Sequence, residues 1–331
     1  MLRLPAFEFR PVRSVEDAAA LLSEYGSDAL PVAGGTDLYA NMKLGLFTPR
    51  VVVGLRSIAE LRRIHFDPAH GLRLGALCSL DSIARDPAVV LQYPALATAA
   101  AMVGTPEIRS MGTIGGNLCL ETRCTYYNQS ADWRKALGYC LKRDGDLCRV
   151  ALHSPTCKAI NASDTAPVML AYDARISLVG PHGARSVAAR EFFRNDGAHA
   201  TVRRSDEILT EIHLPPPGRG ARSSYRKLRL RNAFDFPLLG VAVAVATDEA
   251  GTCTQARILL NAVGSAPIEV EGAGALLLGS RFAAATLADA AEEVFRAGKP
   301  LENANASLLY RKRMLRVLAQ RALEDVAAPL R

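Results

Sequence analysis

A short buried strand that runs directly into two adjacent glycines constrains the fold of this chain more than any other feature. Residues 29–33 have the sequence ALPVA and are followed by Gly34-Gly35-Thr36-Asp37. Adjacent glycines let backbone N–H groups approach an anion without a Cβ atom in the way. The pattern predicts a strand-to-helix turn that can bind an anionic group, although a plain turn would have the same sequence.

The same combination occurs a second time, at Thr113-Ile114-Gly115-Gly116-Asn117. Each loop joins a glycine pair to a hydroxyl and a short polar side chain. Two such loops, each next to α/β structure, predict that one pyrophosphate is held from opposite sides. The chain lacks a strand-associated G-x-G-x-x-G and a G-x-x-x-x-G-K-[ST], which disfavours Rossmann-type NAD binding and P-loop hydrolysis.

The order of predicted elements indicates the domain organisation. Strands and helices alternate up to about residue 216, where Pro215-Pro216-Pro217-Gly218 marks a linker. We expect an α+β protein with an α/β subdomain at 1–54, a second at 55–216 and a C-terminal α+β domain at 217–331. The second subdomain carries a polar, cysteine-rich insertion at about 118–160, and the C-terminal domain combines a three-stranded sheet with helices.

Several individual elements follow from local patterns. Ser14 predicts the start of a helix over 14–25, and further helices are expected at 57–64 and 93–103, the latter ended by Pro106. In the last third, strands are expected at 223–231, 238–247 and 253–263. Helices should follow at 267–278, 284–297 and 304–323.

Charge and hydropathy exclude several classes of protein. The net charge is +7, but the basic residues are scattered and accompany no nucleic-acid-binding motif. The sequence contains no run of 18 or more apolar residues, so no membrane span is predicted. The N-terminus has charges where a signal peptide needs an apolar core. We expect a cytoplasmic protein that binds neither nucleic acid nor membranes.

The seven cysteines indicate a metal site more than disulfides, because their number is odd and no secretion signal precedes them. Cys124, Cys140, Cys148 and Cys157 are 16, 8 and 9 positions apart. They lack the close C-x₂₋₄-C pairs of structural zinc sites and the plant-type [2Fe–2S] spacing. The spacing leaves a [4Fe–4S] cluster, zinc and no metal as open alternatives.

Four segments resemble the FAD-binding medium subunit of xanthine-dehydrogenase-type molybdenum hydroxylases. They are PVAGGTDL (31–38), TIGGN (113–117), ASDTAPVMLAYDA (162–174) and YRKLRLRNAFDFPLLGVAVAV (225–245). The cysteine spacing is similar to that of the beta subunit of 4-hydroxybenzoyl-CoA reductase. The resemblance implies a two-subdomain FAD-binding domain of the PCMH-like, vanillyl-alcohol-oxidase-like type.

The resemblance also implies which residues bind cofactors. The FAD pyrophosphate and ribityl group would contact Pro31, Val32, Ala33, Gly34, Gly35, Thr36, Asp37 and Leu38, together with Thr113, Ile114, Gly115, Gly116 and Asn117. Val103 would lie near the adenine, Asp164 would accept hydrogen bonds from the ribityl hydroxyls, and Lys227 would stabilise the anionic reduced isoalloxazine. Cys124, Cys140, Cys148 and Cys157 would bind a [4Fe–4S] cluster, which leaves Cys119 without a role.

The function implied is that of an electron-transfer subunit without a catalytic residue of its own. Electrons would pass from ferredoxin through the cluster and FAD to a small [2Fe–2S] subunit and a large molybdenum subunit, in a dimer of heterotrimers that reductively dehydroxylates an aryl-CoA. One alternative is the FAD subunit of a xanthine or CO dehydrogenase type of enzyme, which runs in the oxidative direction. Another is a non-catalytic flavin-binding protein.

Overall fold

The computed structural model describes residues 3–328, which form three β-sheets with helices packed between them. The first sheet is parallel, with the order β1-β3-β2. Its elements are β1 (Glu8–Pro11), α1 (Val15–Tyr25), β2 (Ala29–Val32), α2 (Leu38–Lys43) and β3 (Val51–Gly54). The Ser14 hydroxyl accepts a hydrogen bond from the Asp17 N–H at 3.1 Å, which confirms the predicted helix start.

The second sheet is antiparallel and has the order β4-β5-β8-β6-β7. Its strands are β4 (Ile64–Asp67), β5 (Gly71–Gly75), β6 (Arg175–Gly180), β7 (Gly183–Ala188) and β8 (Ile208–Leu214). The helices of this region are α3 (Leu80–Arg85), α4 (Pro87–Gln92), α5 (Pro94–Ala101), α6 (Pro106–Met111), α7 (Ile114–Leu118), α8 (Ala131–Ala136), α9 (Ala166–Ala171) and α10 (Ala189–Phe192). The largest apolar core lies between this sheet and helices α3, α5 and α9.

The third sheet is also antiparallel, with the order β12-β11-β10-β9. Its strands are β9 (Arg222–Leu228), β10 (Leu239–Thr247), β11 (Cys253–Asn261) and β12 (Ile268–Glu269), followed by α11 (Glu271–Leu277), α12 (Ala284–Ala297) and α13 (Leu308–Ala327). The predicted three-stranded sheet therefore has a fourth, two-residue edge strand. Ile268 and Glu269 pair with β11, so the helix expected from residue 267 begins only at Glu271.

One other expectation about local structure is wrong. Residues 57–64 do not form an α-helix but contribute to two 3₁₀ turns, Leu55–Ser57 and Ala59–Arg62, before β4 begins. Leu55, Ile58 and Leu61 are buried at a spacing of three residues, which matches a 3₁₀ turn better than an α-helix. The helix expected at 93–103 does end before Pro106, and Pro106 also begins α6, because proline fits the first turn of a helix.

The α+β fold with a two-part FAD-binding domain and a C-terminal domain is confirmed. The domain boundaries after residues 54 and 216 stay predictions. Within residues 3–328, no helix combines the length and the apolar character that crossing a bilayer requires.

Candidate functional site

A cavity of about 800 Å³ lies where the first sheet, the second sheet and the loop before β10 meet. All the residues predicted to contact FAD line this cavity except Ile114 and Lys227. Ile114 is fully buried in the main core instead. The tertiary structure thus brings both glycine loops and Asp164 to a single space whose volume lies within the range of small-molecule and cofactor sites.

The two glycine loops pack directly against each other. A Cβ atom added to Gly34 would lie 1.9 Å from the backbone oxygen of Met111, and one added to Gly112 would lie 3.5 Å from the Thr36 hydroxyl. Only glycine permits such an approach of two backbones. The convergence that the sequence predicts for these distant segments is therefore present in the fold.

The second loop opens helix α7 and is fixed to the segment around Asp164. The Thr113 hydroxyl accepts a hydrogen bond from the Gly116 N–H at 3.1 Å, which caps the helix. The side-chain oxygen of Asn117 accepts hydrogen bonds of 2.7 Å from the hydroxyls of both Ser163 and Thr165. These bonds position the loop, so the Thr113 hydroxyl and the Asn117 oxygen serve the protein itself.

Asp164 lies in a buried polar network that also contains the predicted flavin-side lysine. Its two carboxylate oxygens accept hydrogen bonds of 2.7 Å from the Tyr225 hydroxyl and from the Lys227 ammonium. Lys227 also donates to the Met102 carbonyl at 3.0 Å, and its side chain is 0% exposed. Burial, reinforced by Asp164, raises the pKa of Tyr225 well above its usual range and keeps the phenol a donor. Lys227 is therefore directed to Asp164 and away from the cavity.

The four cysteines predicted as ligands all lie in the insertion. Cys124, Cys148 and Cys157 are buried, and Cys140 is partly exposed. Burial, followed by the nearby Cys140 and Cys148 thiols, raises the pKa of Cys124. Burial, with Cys148 and Cys124 nearby, raises the pKa of Cys157 to about 11. Cys140 and Cys148 therefore lie near Cys124, and Cys148 and Cys124 lie near Cys157.

The arrangement of these thiols does not match the coordination of a single metal ion. Among the residues that the structure describes, no group of three or more His, Cys, Asp or Glu side chains is arranged to hold one. Burial raises the pKa of Cys119 against the opposing effect of Arg203, and this thiol lines the large cavity. Cys124 also lines the large cavity, so the cysteine group adjoins it.

A buried lysine lies between the cysteine group and the cavity. The Lys142 ammonium pairs with Glu121, which lines the cavity, and donates to the carbonyls of Thr122 and Gly197 at 3.1 and 2.8 Å. It also lies 4.5 Å from the centre of the Tyr127 ring. Its positive charge opposes the effect of burial on the pKa of Cys157, which favours the thiolate form that ligates metals.

The sequence reasoning missed the cations that line the cavity, which are Arg123, Arg203 and Arg231. Arg123 and Arg203 belong to no recognisable motif, and Arg231 lies in the segment 225–245 that carries the family resemblance but received no role there. The one local signal is that Arg123 directly precedes a predicted cysteine ligand. The apolar wall formed by Ile208 and Leu209 at the start of β8 was missed as well.

Comparison with known proteins assigns both parts of the chain. Residues 5–217 match the FAD binding domain in molybdopterin dehydrogenase, and residues 223–326 match the CO dehydrogenase flavoprotein C-terminal domain. The carbon monoxide dehydrogenase medium chain of Afipia carboxidovorans is 30% identical, over 98% of this chain and 97% of that relative. The aldehyde oxidoreductase FAD-binding subunit PaoB of Escherichia coli is also 30% identical, over 96% of this chain and 98% of PaoB.

A solved structure agrees over almost the whole length. The carbon monoxide dehydrogenase of Hydrogenophaga pseudoflava, in a form lacking the Mo-pyranopterin moiety of the molybdenum cofactor, matches with a TM-score of 0.81 and 27% identity. The match covers 98% of each chain. Together with the two domain matches, these similarities show that the chain belongs to the family of FAD-binding medium subunits of molybdenum hydroxylases, the oxidoreductases of the CO and xanthine dehydrogenase types.

Proposed function

We propose that this chain holds FAD in the 800 Å³ cavity between its two glycine loops and relays electrons between that flavin and partner subunits. The observation that carries the proposal is the direct packing of Gly34 against Met111, which brings the loops to one cavity. A dinucleotide diphosphate needs backbone donors from glycine-rich turns, and two such turns meet there.

The residues present fit the cofactor. Gly116 is exposed to the cavity, so its backbone is accessible to a phosphate, and the Thr36 side chain lies beside the second loop. The first-turn N–H groups of the five-residue helix α7 already donate within the protein, so this helix adds no free donor at the cavity. When bound, FAD supplies one- and two-electron redox chemistry. The chain would bind the diphosphate, exclude water from the cavity and orient the ring.

The relatives favour the oxidative direction of electron flow. They are named dehydrogenases or oxidoreductases, among them the medium chain of carbon monoxide dehydrogenase and the FAD-subunit of nicotinate dehydrogenase. We infer that electrons reach this chain from a large molybdenum subunit through a small [2Fe–2S] subunit, and leave through FAD. The three chains would form a dimer of heterotrimers.

The gathered thiols favour a second candidate, a subunit of the 4-hydroxybenzoyl-CoA reductase type. Cys124, Cys140, Cys148 and Cys157 lie close enough for their charges to interact, without converging on one ion. This combination suits a multi-iron cluster better than zinc, since a cubane separates its ligands more widely than one ion does. The cysteines would hold a [4Fe–4S] cluster, which supplies one-electron chemistry. Ferredoxin would then deliver electrons to this chain, and an aryl-CoA would be reduced on the molybdenum subunit.

Iron and sulfide analysis of the anaerobically purified native complex separates the two candidates. About four irons and four sulfides per chain, beyond those of the [2Fe–2S] subunit, support the reductase type. Zinc or no metal in this chain supports the oxidative type. Rapid reduction of the flavin by reduced ferredoxin would agree only with the reductase type.

Two matched cysteine variants make this test specific. Cys140→Ser should remove the additional iron and its absorbance while most of the FAD remains bound. Cys119→Ser should leave the iron content unchanged, because Cys119 is not one of the four assigned ligands and has Arg203 as its neighbouring charge. Equal iron contents in the two variants would rule out the assigned ligand set.

FAD binding itself is tested by the colour and flavin content of the purified complex, and by reconstitution of the flavin-free chain. We expect one FAD per chain. A colourless chain that does not take up FAD would refute both candidate functions.

A further inference from the structure

The lysine predicted to stabilise the reduced flavin does not line the cavity. Lys227 is fully buried, is bonded to Asp164 and does not line the cavity. Among the described residues, the cations that do line it are Arg123, Arg203 and Arg231. The three arginines differ in how far their guanidinium donors are already engaged.

Two of these arginines are held by the protein itself. Arg231 forms a two-pronged ion pair with Asp235, with its Nε 2.9 Å from the carboxylate, and its side chain is 67% exposed. Arg203 donates through Nη1 to the carbonyls of Arg204 and Glu207 at 2.9 and 2.7 Å. Arg231 is thus neutralised by a carboxylate, and Arg203 is held in place by two backbone carbonyls.

Arg123 is different. Its guanidinium carbon lies 3.9 Å from the centre of the Phe236 ring, and none of the hydrogen bonds or ion pairs within residues 3–328 involves its side-chain nitrogens. Asp37 and Glu121 are close enough to influence its charge without contacting it. A guanidinium stays charged in a protein, and a partly buried cation with free donors is stabilised when a ligand supplies acceptors.

A second unengaged donor lies in the same wall. The side-chain oxygen of Asn128 accepts a hydrogen bond from the Cys124 N–H at 3.0 Å, while its Nδ2 is buried without a partner among residues 3–328. Asn128, Arg123 and Cys124 all line the cavity. This end of the cavity is therefore rich in donors and adjoins the cysteine group.

We propose that Arg123 is the residue that tunes the flavin potential, by presenting its cation to the isoalloxazine and favouring the reduced, anionic ring. This inference rests on the proposed function. Of the two ring systems of FAD, only the isoalloxazine carries electrons, so it belongs at the end next to the cysteines. Two electrons from a partner centre and one proton from solvent convert the neutral oxidised ring to a ring with one negative charge. A desolvated cation nearby favours that product.

The test compares the reduction potential of FAD in the full-length chain with that in Arg123→Gln. We expect the variant to lose roughly tenfold in its preference for reduced over oxidised FAD, a downward shift of about 30 mV for a two-electron couple. Arg123→Lys, which keeps the charge, should recover most of the loss. Arg222→Gln is the control, because Arg222 stacks on Phe282 at 5.1 Å outside the cavity and should leave the potential unchanged.

The outcomes separate this inference from the proposed function. An unsubstituted chain that binds no FAD overturns both. If the unsubstituted chain binds FAD, two results for Arg123→Gln overturn the role of Arg123 alone. One is an unchanged reduction potential, and the other is an equal loss of affinity for oxidised and reduced FAD. If Arg123→Gln does not fold, Phe236→Leu removes the stacking partner instead. It should shift the potential in the same direction by a smaller amount, and an unchanged potential would contradict the proposal.

Discussion

At the scale of single residues, the glycines of the two loops meet different requirements. Gly35 has φ +72°, and a Cβ atom there would lie 2.5 Å from the Tyr39 ring. The sequence suggests that Gly35→Val would expel FAD by placing a side chain where the phosphate belongs. The structure indicates that the substitution would strain the backbone and displace Tyr39, so a loss of FAD there would not locate the phosphate.

Gly116 is the better probe of the phosphate site. It is exposed to the cavity, and a Cβ atom there would meet only the Thr113 hydroxyl, at 3.1 Å. Gly116→Val should weaken FAD binding by at least about tenfold, or about 1.4 kcal/mol, with little loss of stability. Gly115→Ala is the contrast, because its Cβ would lie 2.9 Å from the Ala76 carbonyl oxygen and should destabilise the fold. Flavin fluorescence titration and thermal unfolding measure the two effects, and normal FAD affinity in Gly116→Val would contradict the placement.

The buried ion pair between Asp164 and Lys227 should depend strongly on both partners. Removing one member leaves an uncompensated buried charge, so Lys227→Met and Asp164→Asn should each cost about 3–5 kcal/mol of unfolding free energy. The double variant should lose less than the sum of the two, with a coupling above about 1 kcal/mol. Urea unfolding measures all three, and exposed Lys43→Met is the control. Additive losses would show that the pair does not act as a unit.

Glu207, in the cavity wall, should make stability depend on pH. Its carboxylate accepts hydrogen bonds from Arg185 at 2.6 and 2.8 Å. Arg185, followed by the Arg204 N–H, lowers the pKa of Glu207 against the opposing effect of burial. Because the pKa is lower in the folded state, the stabilisation is present above the unfolded value of about 4.3 and is lost as the pH falls through the folded value.

Glu207→Gln should therefore cost about 1.5–3 kcal/mol at pH 7. The stability difference from the unsubstituted chain should close below about pH 4. Denaturant unfolding between pH 3 and pH 8 checks this, with exposed Glu24→Gln as the control. A difference that stays constant over this range would mean that the carboxylate charge is not responsible.

At the scale of elements, the cysteine insertion is fixed to two other parts of the molecule. Arg134 of α8 donates to the carbonyls of Leu44 and Gly45 at 3.3 and 3.0 Å, which joins the insertion to the first subdomain. Asn303 donates to the Lys158 carbonyl at 2.7 Å, which joins it to the C-terminal domain. The insertion is thus held at its position beside the cavity from both sides.

Arg311 of α13 holds the segment that carries Asn303. It is fully buried and donates to the carbonyls of Leu238, Leu301 and Ala262 and to the side chain of Asn303. Burial lowers its pKa to about 10. The guanidinium therefore remains charged near neutral pH and satisfies several buried acceptors at once.

Arg311→Met should cost about 3 kcal/mol or more, because several buried carbonyl groups lose their donor. It should also weaken FAD binding, since Asn303 lines the cavity. Exposed Arg313→Met, on the same helix, should stay within about 0.5 kcal/mol of the unsubstituted chain. Thermal unfolding and flavin titration measure both effects. Equal stability of the two variants would contradict this role of Arg311.

Element prediction succeeded where one local pattern dominated and failed where tertiary pairing intervened. The helix over 284–297 has the predicted bounds. Helix α13 begins at Leu308 instead of 304, because the Ser307 hydroxyl accepts the Tyr310 N–H and caps it there. The strand at Ile268–Glu269 has only two residues and exists because β11 presents an edge to it, which no local pattern reveals.

At the scale of the whole molecule, the C-terminal domain completes the main core. Tyr225, Ala242 and Leu259 belong to the same apolar cluster as the second sheet and its helices. Tyr225 and Lys227 also reach Asp164 across this boundary. The FAD-binding part therefore depends on the C-terminal domain for packing, although the proline run between them has the composition of a linker.

A chain that ends at residue 217 should expose this shared core. We expect it to aggregate or bind hydrophobic dyes and to lose FAD, whereas co-expression with residues 218–331 should restore a soluble flavoprotein. Size-exclusion chromatography and flavin content measure the outcome. A soluble truncated chain with full FAD content would show that the boundary after residue 216 separates independent units.

The sequence alone determined the chemistry available to this protein and the places where the backbone must be glycine. The glycine loops and the Ser14 cap are local properties, because each depends on a few adjacent residues. Only the tertiary structure decided that Lys227 bonds to Asp164 and that Arg123 lines the cavity. These outcomes depend on packing between segments far apart in the chain. Each of these charged side chains acquires its partner only when those segments pack together and bury it.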